Sequence, residues 1–267
     1  MKARDLVSCR VSAWLIAVAA VTSALSFQFW QIFSRDVPMG VGNMRGTALS
    51  MLVMAVPLVG VSMVLAARGS LRARFIWLGG LAYIAYNAVL FCFAAHFNSF
   101  FLLFTTLLGL SFWAMVTLLQ DFDLDAVPAA CAAVPARGVA VYMLVSLGIF
   151  AAAWLRDIVP AIATNGLPAG LEGTGLTQNP IYVLDFAFTF PTMVIGAVWL
   201  WQRRAWGYVV SAMMVIMLTV ETAGIAVDQV FGHLHDQSAP LDAVPVMIGF
   251  TAAGLVASVL FLRGVNH

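Results

Sequence analysis

Two acids lie where acids are costly. Asp185 falls inside the apolar run 180–201 and Glu221 inside the apolar run 205–227. Ionisable side chains at membrane depth face protein or water, and they mark ion and proton routes or buried pairings. Asn179–Pro180 is a helix start: Asn caps free N–H groups, and proline at the first helical position sacrifices no hydrogen bond. Asp185 then lies about 9 Å down the axis at about 1.5 Å per residue. Tyr182, Thr189, Thr192 and Gly196 fall on its face. Pro191 cannot donate to Ala187 and is expected to break this helix. Irregular backbone at that depth needs cover from protein or a wet cavity. In the next run Glu221, Gly224 and Asp228 share one face, with the acids about 10 Å apart. The turn between the two runs is short, so they are antiparallel neighbours and Glu221 is expected to approach Asp185. Two carboxylates close together in low dielectric cannot both ionise cheaply, which is the physics of a proton- or cation-coupled site. A structural acid bonded to a neighbouring helix would give the same pattern.

Further polar groups extend the candidate pocket. Tyr83 and Asn87 lie one turn apart in the run 75–95, and Tyr182 flanks Asp185. These are the expected hydrogen-bonding lining, although an Asn in a membrane helix also serves as a plain interhelical bond. A second constellation is His96, His233, His235 and Asp236. Two histidines two residues apart can share one metal on an extended segment, so Zn or Cu is a candidate there; a solvated polar loop fits equally. The sequence itself requires no cofactor. The aspartates of 120–137 lack the glycine and the distant glutamate of a calcium loop. Methionine pairs such as Met51/Met54 and Met213/Met217 read as packing. There is no GxGxxG ahead of a helix, no P-loop, no HExxH, no GxSxG and no helix lysine for a Schiff base.

The elements that must position these residues are membrane helices. The chain is 63% hydrophobic and 9% charged, against about 25% charged in soluble domains. Eight apolar segments are long enough to cross: 11–33, 46–67, 75–95, 98–119, 138–156, 180–201, 205–227 and 244–262. The first mimics a signal peptide, but it is long enough to span and no cleavage pattern ends it. With the N-terminus inside, ten basic residues face inward (Lys2, Arg4, Arg10, Arg68, Arg72, Arg74, Arg137, Arg203, Arg204, Arg263) and Arg35, Arg45 and Arg156 face outward. That bias places both termini in the cytoplasm. Most acids fall on the external side, among them Asp36, Asp157 and Glu172. Trp14, Trp77, Trp199, Trp201 and Trp206 near inner ends, and Trp30 and Trp154 near outer ends, read as aromatic belts.

Ser34–Gly46 reads as a glycine-rich external loop, and Pro57 as a kink in the second helix. The longest external loop, 157–179, leads into the Asn179–Pro180 start and is placed to act as a lid. Cys9, Cys92 and Cys131 form no framework, so no disulfide is expected. Comparing the first four segments with the last four matches hydropathy but no residue pattern.

The phrases RGTALSMLV (45–53), LAYIAYNAVLF (81–91), FNSFFLLFTTLLGLS (97–111), NPIYVLDFAFTFP (179–191) and RRAWGYVV (203–210) resemble a group of uncharacterised bacterial polytopic membrane proteins. The resemblance covers most of the chain. It implies an eight-helix inner-membrane protein, and it transfers no activity and no site residue.

The expectation is one all-α transmembrane domain over 1–267 in a bacterial inner membrane, with lipid as its surroundings and a small molecule or ion as its ligand. A net charge of +1 points away from nucleic acid. The leading function is a transporter or permease with an outward-facing pocket between the second, third, sixth and seventh helices. The alternatives are a metal-dependent intramembrane enzyme acting on lipid, and an accessory or sensory subunit. Nothing in the motifs requires an enzyme.

Overall fold

A computed structural model describes residues 3–266, with side chains from residue 7 onward. Lys2, and the side chains of Arg4 and Asp5 used in the charge pattern, lie outside the described residues. Among the described residues the protein is all-helical, with no strand. Eight helices are long and apolar enough to span a membrane. They are α1 (Ala3–Gln28), α2 (Pro38–Ala67), α3 (Leu71–Phe93), α4 (Phe101–Leu119), α5 (Ala136–Thr164), α6 (Pro180–Trp201), α7 (Ala205–His235) and α8 (Ala243–Arg263).

Helices α3 and α7 form the centre. In each, 72% of the apolar stretch is buried, against 22–33% in the other six. Glycines set the spacing. A Cβ on Gly79 would meet Ile216 of α7 at 2.6 Å, and one on Gly80 would meet Val59 of α2 at 2.6 Å. The outer helices turn large apolar side chains such as Leu102 (75% exposed) and Ile162 (74%) away from the bundle, which suits a lipid surround.

Three boundaries differ from the sequence expectation. Helix α2 starts at Pro38, so Arg45 is helical and only a short connection precedes it. Its glycines are packing positions: a Cβ on Gly42 would collide with the Phe231 carbonyl, and one on Gly46 would meet Asp228 Cα at 2.6 Å. Helix α5 continues to Thr164, so Asp157 is helical and the long connection shrinks to 165–179. Helix α7 continues to His235, because no breaker but Gly232 intervenes and Gly232 packs against Asn43. Trp77 is no belt residue; it is 2% exposed and its indole donates to Ser12 Oγ at 3.1 Å. Nor does Pro191 break α6. The helix widens into a π turn over Asp185–Thr189, with the Phe190 N–H bonded to the Asp185 carbonyl, and then runs on.

The same device occurs at Pro57, where a π turn spans Met51–Ala55. Over 51–71 and 185–205 the two halves of the chain correspond at an offset of 134 residues, the separation of Asn87 from Glu221. The π turns begin at Met51 and Asp185, and the prolines are Pro57 and Pro191. Helices end at Ala67 and Trp201 and restart at Leu71 and Ala205. The turns between them hold positive φ at Gly69 (96°) and Arg203 (55°). On the strength of this stretch we read α1–α4 and α5–α8 as two repeats, parallel because each has an even number of crossings.

Candidate functional site

A cavity of about 380 Å3 lies between α2, α3, α5, α6 and α7. It runs from the connections 34–37 and 165–179 down to Met193 and Met217. Asp185, Glu221 and Asp228 all face it, each from a helix of the second repeat.

Asp185 opens the π turn of α6 and is 7% exposed. The Asn179 side chain caps the helix start, accepting from Ile181 N at 3.0 Å. Trp154 of α5 donates its indole N–H to Asp185 Oδ2 at 2.8 Å, and Tyr86 of α3 donates to Oδ1 at 3.2 Å. π turns insert one residue into the ladder and recur at functional positions. Here the insertion carries the lining face on from Thr189 to Phe190 and Met193 rather than to Thr192.

Glu221 is 7% exposed, and the Asn87 amide donates to its Oε2 at 2.7 Å. Asn87 and Glu221 lie at the same 134-residue offset, so the bond joins corresponding positions of the two halves. Asp228 receives the Thr47 hydroxyl on Oδ2 at 3.0 Å. The Asn43 amide, with its nitrogen toward α7, donates to the Asp228 carbonyl at 2.9 Å. Asp228 Oδ1 is buried without a hydrogen-bond partner. Each of the three cavity acids thus takes a side-chain donor from the first repeat: Tyr86, Asn87 or Thr47.

Three of the expected residues have other placements. Tyr83 and Asn87 stand behind the cavity wall, Tyr83 with its hydroxyl against Gly224. Tyr182 lines the cavity with its ring, 5.3 Å from the Trp154 ring, but gives its hydroxyl to Asp157. Asp157 also accepts from the Ala169 N–H at 2.9 Å and the Gly170 N–H at 3.3 Å, pinning the connection 165–179 across the cavity mouth. The residues that sequence reading missed are Trp154, Tyr86, Thr47 and Asn43 as donors, and Asp228 as a third cavity acid. Trp154 carried only an interface signal, and the face Glu221–Gly224–Asp228 was the one clue to Asp228.

The histidine constellation does not assemble. His233 and His235 lie on the last turn of α7, where a spacing of two points them apart. His233 Nδ1 lies 2.8 Å from the Ala239 carbonyl and His235 Nδ1 lies 3.1 Å from the Phe231 carbonyl. His96 is held at 2.6 Å by Asp36 and is covered by Gly175 of the 165–179 connection. Asp236, just beyond α7, is kept below the usual carboxylate range by hydrogen bonds from Ser238. Among the described residues no three His, Cys, Asp or Glu side chains group as a metal site.

No family model, no curated protein and no solved structure matches the chain.

Proposed function

We propose that this protein is a multi-pass permease for a small solute or ion, working between its two repeats. One observation carries the reading: three cavity acids lie at the junction of two parallel four-helix copies, and each is bonded to the opposite copy. Parallel repeats with a polar site between them are a recurrent transporter plan, and π turns in membrane helices recur at functional positions. Movement of one copy against the other would change which donors meet which acids, and so couple the opening of the cavity to its contents. The orientation rests on the charge pattern: Arg10, Arg68, Arg72, Arg74, Arg137, Arg203, Arg204 and Arg263 lie at the end that holds both termini, which supports a reading with that end in the cytoplasm of a bacterial inner membrane and the cavity mouth outside.

Met217 tests this, because it lines the deep end of the cavity one turn below Glu221. With Cys9, Cys92 and Cys131 replaced by alanine, Met217→Cys is treated with a membrane-impermeant thiol reagent in vesicles of either orientation. A permease exposes this position to both sides in turn, so labelling is expected in both preparations. Labelling from the mouth side alone would overturn the reading in favour of a one-sided receptor or enzyme.

A further inference from the structure

The cavity lining specifies a ligand class, on the reading that this cavity is the binding site of the permease. Asp185, Glu221 and Asp228 face it, with Asp36 at the mouth, and among the described residues no Lys, Arg or His lines it. A ligand that brings positive charge would favour the ionised form of these acids, whereas an anionic ligand would find no lining cation and be repelled by any acid that is ionised. The volume separates two kinds of cation. A site for one water needs only about 10–15 Å3, whereas pockets for small organic ligands start near 300 Å3. At about 380 Å3 this cavity is far larger than a bare ion needs. The remaining walls are aromatic and soft: Phe150, Trp154, Tyr182 and Phe190, with Met193 and Met217 at depth. Trp154 and Tyr182 pack with their rings tilted by 50° on the same side as Asp185. Indole and phenol faces attract ammonium groups, and methionine and phenylalanine take an apolar tail. Asp228, nearer the mouth on α7 than Glu221, keeps its Oδ1 buried against Gly46 of α2 without a hydrogen-bond partner.

We infer that the cavity binds a small organic cation, a protonated or quaternary amine with an apolar group, its positive head between Asp185 and the Trp154 and Tyr182 rings.

Titration calorimetry of the purified full-length protein tests this with three probes of one shape: benzyltrimethylammonium, benzyl alcohol and benzoate. The cation is expected to bind and benzoate to give no heat. Asp185→Asn and Trp154→Leu are each expected to weaken the cation by about tenfold or more, since each removes one favourable interaction with the head. Asp185→Asn keeps an oxygen for the Trp154 indole N–H and offers its NH2 to the Tyr86 hydroxyl oxygen, so folding should survive, and Trp154 is half-exposed, so its loss leaves the core intact. No binding of the cation, equal binding of benzyl alcohol, or cation binding untouched by both substitutions would overturn the inference. The two readings fail separately. Two-sided labelling of Met217→Cys without cation binding leaves a permease for another solute. Cation binding with one-sided labelling leaves an amine receptor.

Discussion

At the scale of single residues, the Asn87–Glu221 bond is where stability and function meet. Leaving a buried acceptor without its donor costs about 1–3 kcal/mol, more than the roughly 0.6 kcal/mol average for interhelical bonds in membranes. Glu221 is 7% exposed and Asn87 2% exposed, so water does not readily replace the amide. Asn87→Leu is expected to lower stability by about 1–3 kcal/mol. Glu221→Gln should cost less, because its amide oxygen still accepts from Asn87. Chemical unfolding in detergent measures both, and equal losses would show that the amide donor is not what stabilises Glu221. The two acids were legible in the sequence because charge inside an apolar run is rare. Their donors were not. Nothing in a chain read singly pairs Tyr86 with Asp185 or Thr47 with Asp228 across about 100–180 positions, and both hydroxyl residues are ordinary in membrane helices.

At the scale of elements, α2 shows how a strong local signal misleads. Residues 40–46 contain three glycines, a composition that reads as a loop. In the fold Gly42 and Gly46 sit one turn apart on a helix, so that α2 can approach α7 backbone to backbone, the small-xxx-small arrangement of membrane helices. The meaning of those glycines lies in the partner helix. Gly46→Val tests it. Its Cβ would lie 2.6 Å from Asp228 Cα and 2.9 Å from Asp228 Oδ1, and backbone cannot yield as a side chain does. Helices α2 and α7 must part, and overpacking of this kind costs about 1–3 kcal/mol. Gly60→Ala in the same helix is the control. It meets nothing within 4 Å, and alanine is the better helix former by about 1 kcal/mol, so stability should hold or rise. The melting temperature in detergent reads both substitutions; a Gly46→Val melt equal to that of the parent would mean that this contact is loose. The π turns were illegible for a related reason. A proline predicts a missing bond, but whether the helix breaks or absorbs it by widening depends on the packing around it.

At the scale of the molecule, eight spans follow from length and hydropathy alone, while the duplication does not. Over the matched stretch the two copies keep their prolines and helix ends but exchange almost every other side chain: Asn87 stands against Glu221, Gly69 against Arg203 and Trp77 against Ser211. Geometry preserved what the residues lost. Asp185, Glu221 and Asp228 lie in the second copy and take bonds from Tyr86, Asn87 and Thr47 of the first, so polar bonds at the site help to hold the copies together. This makes a prediction about the connection between them. Residues 120–135 join the copies and pack at the terminal end, where the Asn266 N–H bonds the Ala130 carbonyl at 2.7 Å. Asp125 and Ala126 are exposed, so a protease site inserted between them can be cut in the folded protein. After cleavage the two halves are expected to co-elute in mild detergent and to keep any cation binding of the uncut protein within about twofold, because α2 and α3 remain packed on α6 and α7. Adding Asn87→Leu and Thr47→Val to the cut protein removes two of the three donor bonds across the junction, and should release the halves or abolish binding. If the cut halves separate without those substitutions, the covalent connection and not the bonded acids holds the repeats together, and the site cannot be the hinge between them.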